Sequence, residues 1–317
     1  MVAQQHNAWP ALPYEAWKDT CATLHLWTQI IGKIRLARTP WVNHGWHVTL
    51  YVTARGLTTS PVPFGERTAD ITFDFIAHEL RIEVSDGHTG RIALRPQSVA
   101  DFYAAVMEEL RRLDLEVSIN ERPSEIADAV PFSQDHSHNA YDAEHVQRFW
   151  RALVQIDDVM KQFRSAFLGK VSPVHFFWGS FDLAVTRFSG RTAPLFTGQA
   201  PGLAQEVMQE AYSHEVSSAG FWPGGNGVDH PSFYSYVYPT SDRFKTFSVQ
   251  PAGAVFSDTL GEYLLPYDTV RSAADPAATL LSFFQTTYEA AAISANWDRA
   301  ALECPLGAPG VPRALNA

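Results

Sequence analysis

The sequence predicts an α+β protein built from two similar helix–antiparallel sheet–helix halves, related by a pseudo-twofold internal duplication. The first observation behind this is a repeat. An offset of 133 residues sets 50–65 over 183–198 without a gap, so that Leu50/Leu183, Val52/Val185, Thr53/Thr186, Thr59/Thr192, Pro61/Pro194 and Gly65/Gly198 coincide. The same offset pairs Trp17 with Trp150, Gln29 with Gln162 and Pro40 with Pro173. Internal repetition constrains a fold before any single element does. The second observation is order. Each half runs from a long helical pattern through clustered strands to a further helix, without the strand–helix alternation of a parallel sheet. The repeat is stronger in the strands than in the helices, where Leu24 falls on Asp157.

Trp17, Cys21, Leu24, Trp27, Ile31 and Ile34 recur at three- and four-residue steps and predict a helix over 14–37. Lys33, Arg35 and Arg38 suit the negative end of its dipole, and Thr39-Pro40 ends it. Alternation predicts strands at 46–55, 70–76, 79–85 and 90–95, the last two joined at Asp86-Gly87. Ser98 caps a helix over 98–113 with Val99, Phe102, Val106, Leu110 and Leu113 as its stripe, and 115–119 reads as a short strand. Pro123, Pro131 and the polar run 133–139 mark 121–141 as the connection between a first half (1–120) and a second half (142–302). Asp142 caps a helix reaching 167, whose apolar positions include Val146, Phe149, Leu153, Ile156, Met160 and Phe163. Strands follow at 174–188, 214–222, 232–238 and 260–265. Asp275-Pro276 then opens a helix to 293. The Pro- and Gly-rich residues 303–317 read as a disordered tail.

Composition excludes several function classes. Apolar residues make up 46% and charged residues 18%, which is ordinary for a globular chain. A net charge of −10 with no basic run argues against nucleic acid as a partner. Two cysteines, Cys21 and Cys304, are too few for a disulfide framework or a zinc ribbon. The first ten residues carry neither the cationic start nor the apolar core of a signal peptide, and no uncharged stretch reaches membrane-spanning length. A reduced, cytoplasmic protein is expected. Aromatic residues reach 13%, with five of nine tryptophans before residue 50, so heavy packing or ligand stacking is expected.

Strand parity sorts the polar residues. In the first sheet Thr72, Asp74, Arg81, Glu83 and Arg91 share a face, which reads as a solvated surface with cross-strand pairs. In the second half the strand over 174–188 is apolar on both sides, and Tyr234, Tyr236 and Tyr238 line one face of a later strand. Four polar residues, His175, Asp182, Arg187 and His214, are therefore embedded and need partners. Asp182 shares a side with Trp178, Thr186 and Phe188, where a carboxyl can hold a proton near neutral pH. His214 and Glu215, being adjacent, face opposite ways; His214 is free to meet Asp182 instead. The turn Asn43-His44-Gly45-Trp46-His47 is the densest polar–aromatic cluster. The loop 223–227 lacks the setting of a phosphate-binding glycine motif. No nucleophile elbow, zinc-protease helix, paired Cys-x-x-Cys or Walker sequence is present.

The segments Trp9-Pro10-x-Leu12-Pro13, Trp17, Gly32-Lys33-Ile34-Arg35-Leu36, Pro40 and Asn43-His44-x-Trp46-His47 resemble an uncharacterised bacterial family, a domain of unknown function. The segments 177–182 and 212–224 are similar to it as well. The resemblance covers about 9 to 302 and implies one bacterial unit of fixed length. It supplies no activity, cofactor or catalytic residue.

The leading expectation is a small, partly aromatic or anionic molecule bound in an aromatic-lined cavity of the second half. His175, Asp182 and His214 are the candidates for proton transfer. Asn43, His44, Trp46, His47, Trp178, Arg187, Glu215, Tyr234 and Tyr236 are the candidates for binding. A non-catalytic structural or interaction protein is the rival reading. A metal enzyme drawing on His44, His47, His136, His138, His175, His214 and Glu215 is a third, and no metal site is assigned. These motifs name no cofactor and no oligomeric state.

Overall fold

The computed structural model describes residues 8–225 and 228–313; the start of the chain, Asn226-Gly227 of the glycine loop and 314–317 lie outside the described residues. The chain opens with helix α1 (Tyr14–Arg38), ended as expected where the Thr39 N–H donates to Arg35 O at 2.9 Å. Its apolar stripe is fully buried, and so is much of its polar flank, including His25, Gln29, Lys33 and Arg35. A helix buried on most of its circumference must pair those polar groups inside the protein.

Six strands follow: β1 (Tyr51–Val52), β2 (Gly56–Thr58), β3 (Val62–Phe64), β4 (Arg67–Asp74), β5 (Glu79–Val84) and β6 (Thr89–Ala93). They form an antiparallel sheet in the order β1-β2-β4-β5-β6, with β3 also on β4. Helix α2 (Val99–Arg112) crosses its buried face. Its cap is Ser98, which accepts from the Asp101 N–H at 3.0 Å. Asp74 on the opposite face is ion-paired to Arg55 at 2.6 Å and Arg81 at 3.1 Å, the cross-strand pairing that parity anticipates.

The second half begins with α3 (Ala143–Ser165), capped by Asp142 accepting from His145 N–H at 2.9 Å. Strands β7 (His175–Phe177) and β8 (Asp182–Thr192) follow, then α4 (Gln205–Ala211), β9 (His214–Trp222), β10 (Ser232–Tyr238), β11 (Val255–Ser257) and β12 (Glu262–Pro266). The helices α5 (Tyr267–Arg271), α6 (Pro276–Ser294) and α7 (Arg299–Leu302) close the chain, with Asp275 capping α6 through Ala278 N–H at 3.0 Å. The second sheet is antiparallel in the order β11-β12-β10-β9-β8-β7, and α3 and α6 cover one face of it. The protein is thus α+β, with two six-stranded antiparallel sheets, a layout compatible with a duplication. Among the described residues no helix is long and apolar enough to cross a membrane.

The two sheets meet edge to edge. Leu50 N–H donates to Phe176 O at 2.9 Å and Phe176 N–H returns to Leu50 O at 2.7 Å. One apolar core runs beneath both halves, with Trp17, Trp27, Phe73, Phe102, Phe149 and Phe176 among its largest fully buried side chains.

Three strand expectations are corrected. Residues 46–49 are not a strand, because their carbonyls are already taken: Arg35 Nε donates to His47 O at 2.6 Å and Trp178 Nε1 to Val48 O at 2.7 Å. The run 174–188 is a hairpin, broken at 178–181 where Phe181 adopts φ 59°. Residues 115–119 form no strand; Leu115 N–H donates to Leu110 O at 2.9 Å and closes the end of α2.

Gly32 on α1 marks a close approach. A Cβ there would lie 2.2 Å from the Trp178 indole. Alanine in a helix interior normally stabilises by about 0.5–1 kcal/mol over glycine. Gly32→Ala is expected to reverse that sign, costing about 1–3 kcal/mol by overpacking. Urea unfolding reads the sign directly, and a stabilised variant would contradict the close packing of Trp178 on α1.

Candidate functional site

The face of the second sheet turned away from α3 and α6 is not filled by side chains. Along β8, Asp182, Ala184, Thr186 and Phe188 point to it; β9 adds Val216, Ser218 and Trp222, and β10 adds Tyr234 and Tyr236. These residues floor a cavity of about 370 Å³. Its roof comes from elsewhere in the chain: His44, Trp46 and His47 from the turn after α1, Glu125 from the connection, and Leu203, Val207 and Met208 from the segment around α4. The cavity therefore lies between the halves, where the sequence expectation had placed it within the second half alone.

Its acidic corner is held by hydrogen bonds. Asp182 is 4% exposed and accepts from the Ser180 and Tyr234 hydroxyls. Burial pushes its carboxyl up to about 6, against the opposing pull of those two donors. Glu125 lines the same cavity, and burial, followed by the Asp182 charge, pushes it up to about 7. Glu262 on β12 is 6% exposed and shares the Tyr234–Tyr236 face by parity. Burial and then Asp182 push it up to about 8. Further along, Tyr212 and Tyr236 hydroxyls lie 3.1 Å apart, and Thr186 Oγ1 lies 2.9 Å from Ser218 Oγ.

Helix α1 fixes the Glu125 segment. Its residues His25, Gln29 and Lys33 fall on one flank at four-residue steps. Gln29 Nε2 donates to Ser124 O at 2.9 Å, Ser124 N–H donates to Gln29 Oε1 at 2.8 Å, and Lys33 Nζ donates to Ser124 Oγ at 3.1 Å. His25 Nε2 donates to Gly179 O at 2.9 Å, which anchors the turn carrying Trp178 and Ser180. Glu125, His44 and Phe181 all have positive φ, between 59° and 62°, so three backbone positions around the cavity are held in a disfavoured conformation.

The expected site residues separate. Asp182, Trp178, Tyr234, Tyr236, His44, Trp46 and His47 line one cavity. His175 is fully buried behind it, against Trp46 at 6.3 Å and Phe177 at 4.6 Å between ring centroids. Neither of its ring nitrogens has a protein hydrogen-bond partner, and burial pushes it down to about 3, so it is neutral at physiological pH. His214 sits opposite Thr192, while Asp182 lies at the other end of the same strand pair, beside Trp222. Eight residues of β9 separate the two ends, roughly 25 Å of strand, so His214 does not meet Asp182. Its ring lies instead 5.8 Å from that of His44. Asn43 is exposed and outside the cavity. Arg187 points to the helix side of β8, and Glu215 pairs with Arg191 at 2.7 Å. His44 has both ring nitrogens engaged, donating from Nδ1 to Ala211 O at 3.0 Å and accepting from Lys170 Nζ at 2.6 Å, which suits a clamp. Among the described residues no three His, Cys, Asp or Glu side chains converge as metal ligands. Glu125, Glu262 and the α1 flank were missed by sequence reasoning.

Residues 9–304 match the model of a family of unknown function, DUF5996. The chain belongs to this family. No curated protein and no solved structure matches it. The DUF5996 match spans both halves and the connection, so every residue lining the cavity falls inside it.

The buried acids of this DUF5996 chain make stability depend on pH. A carboxyl raised above its unfolded value binds more protons when folded, so its contribution is present in acid and is lost as pH rises through the folded value. For Asp182 and Glu262 that loss runs from about pH 4 through the values near 6 and 8. His25 and His175, pushed down by burial to about 4 and about 3, act oppositely: their contribution is complete above about pH 6.5 and is lost as pH falls. Glu262→Gln is expected to match the parent near about pH 5 and to exceed it by about 1–3 kcal/mol near about pH 9. Parallel urea-midpoint curves for the two proteins would show that Glu262 does not titrate in this range.

Proposed function

We propose that this protein binds a small organic molecule in the aromatic cavity between its halves and presents to it two carboxyl groups suited to proton transfer. The observation that carries the reading is Asp182, a buried acid aimed into a cavity of about 370 Å³ and held there by Ser180 and Tyr234. Sites of this size, apolar with few convergent polar groups, are where small molecules bind. Burial raises Asp182 to about 6 and Glu125 to about 7, which brings two neighbouring carboxyls into the neutral range. That is the pairing acid–base catalysis uses. His175 and His214 have no part in this reading, because one is sealed behind Trp46 and the other lies at the far end of β9.

The rival, a structural protein without ligand, expects a filled interior, and a cavity floored by a buried acid weighs against it. The proposal keeps the protein in a reducing cytoplasm, in line with its two unpaired cysteines. It calls for neither nucleic acid nor membrane as a partner, in line with a net charge of −10.

Ala184 sits on the cavity floor between Asp182 and Thr186, so Ala184→Leu puts a larger apolar side chain into the space while keeping the acid in the chain. Fragments screened through the fluorescence of the cavity tryptophans should bind the parent saturably and fail to bind Ala184→Leu, with Tm changed by no more than about 3 °C. A parent that binds no fragment, or a variant that binds as well, would reject the cavity as the site.

A further inference from the structure

The two faces of the second sheet carry two aromatic enclosures that differ in charge. On the helix side, Arg187 is fully buried, with its guanidinium 3.5 Å from the ring centroid of Phe163, 4.3 Å from Tyr288 and 5.1 Å from Phe167. It donates to Phe163 O. That enclosure is already filled by the protein's own cation. On the cavity side, the rings of Trp178, Trp222, Tyr234 and Tyr236 surround a space that no lysine or arginine side chain lines among the described residues. Two carboxyl groups, Asp182 and Glu125, line this end, Glu262 on β12 lies beside Tyr236, and no basic side chain is an electrostatic partner of any of them.

Basic groups do approach the cavity walls, and their positions matter. Lys170 Nζ lies over Phe188 at 4.9 Å and Trp46 at 5.2 Å, bonded to His44 at the opposite end. Lys33 Nζ lies 5.7 Å from the Trp178 centroid, bonded to Ser124 and outside the lining. Both show that these tryptophan faces accept ammonium groups from their outer sides. The interior therefore has polarity: acidic and aromatic around Asp182, apolar along Val207 and Met208, and basic behind Trp46 and Phe188.

We infer that the ligand of this cavity is an organic cation, an amine or amidine on a small apolar or aromatic body, whose charged head sits at the Asp182–Glu125 end against Trp178 and Tyr234. This rests on the cavity reading above and adds the ligand's class to it. A cation there supplies the charge that the three acids lack, and binding favours their ionised forms. The aromatic rings add the cation–π attraction that desolvated ammonium groups find on tryptophan and tyrosine. An anionic ligand would meet Asp182 and Glu125 at close quarters, and a neutral one would offer no counter-charge as they ionise.

The test uses three molecules of one shape: phenethylamine, 2-phenylethanol and phenylacetate. Each is titrated into the full chain at about pH 7.5, where the amine is charged, and followed by tryptophan fluorescence and calorimetry. Phenethylamine is expected to bind at least about tenfold more tightly than the alcohol, with phenylacetate weakest. Asp182→Asn and Glu125→Gln should each remove most of that preference, read as the ratio of amine to alcohol affinity within the same variant, so one poorly folded variant does not decide the outcome. If the alcohol or phenylacetate binds as well as the amine, the cation inference is overturned and the cavity reading stands. If none of the three binds the parent, both are overturned.

Discussion

Leu50 and Phe176 exchange both of their backbone hydrogen bonds, and through that pair the edge of one sheet becomes the neighbour of the edge of the other. The two edges are tied at this one pair, which matters because unpaired strand edges invite association with other chains. The pairing also fixes what lies over the second sheet. Residues 43–48 immediately precede Leu50, so anchoring Leu50 to β7 hangs the His44–Trp46–His47 turn across the face that carries Asp182. Trp178 reinforces the junction by donating to Val48 O, and Arg35 does so by donating to His47 O. The cavity is a consequence of how the sheets are joined, and neither half would enclose it alone.

The enclosure is energetically expensive. Buried carboxyls without basic partners disfavour the folded state as they ionise, and three positive-φ residues add on the order of 1–3 kcal/mol each. Such conformations persist only where the surroundings over-determine them. Here the surroundings are an unusually aromatic core, in which Trp27 stacks on Phe102 at 4.5 Å and Phe149 on Phe181 at 5.5 Å. The second contact is instructive, since Phe181 is itself one of the strained residues: its side chain is locked into the core while its backbone turns β7 into β8 beneath Asp182. Strain and packing act on the same residue. The aromatic wealth of the sequence thus serves the core and the cavity together, the two roles that composition alone leaves open.

What was legible in the sequence was whatever a local period encodes. The caps Ser98, Asp142 and Asp275 each accept the bond their position implies, and the strands 214–222 and 232–238 fall where alternation puts them. Parity also placed Asp182 with Thr186 and Phe188, and Tyr234 with Tyr236, on shared faces. Parity failed at 174–188, because a strand apolar on both sides gives no sign of an internal turn. The hairpin inverts the count, so Phe177 joins Asp182 and Phe176 joins Leu183. The distance from His214 to Asp182 depends on register between strands, which single-chain periodicity does not carry. Glu125 hid in a proline-containing connection. Its one trace lay elsewhere, in His25, Gln29 and Lys33 at four-residue steps, a polar row on a helix otherwise too apolar to face water.

That polar row explains why a long connection is held as firmly as a strand. Residues 121–141 contain only a short 3₁₀ turn at Phe132–Gln134, yet Gln29 and Lys33 hold Ser124 from α1, and Glu125 N–H donates to Pro201 O at 2.7 Å. The opposite side of the cavity is built differently. Helix α4 has no buried residue; His44 N–H donates to Glu210 Oε2 at 2.7 Å, His44 Nδ1 donates to Ala211 O, and Gln205 Nε2 donates to Phe196 O at 3.1 Å and Gly198 O at 3.2 Å. Segments with few buried contacts and exposed hydrogen bonds are the first to open in a native protein. The Glu125 segment is therefore fixed by the central helix, while Val207 and Met208 line the cavity from a helix with no buried residue. The Asp182 network and the α4 wall of the cavity are thus held by separate parts of the chain.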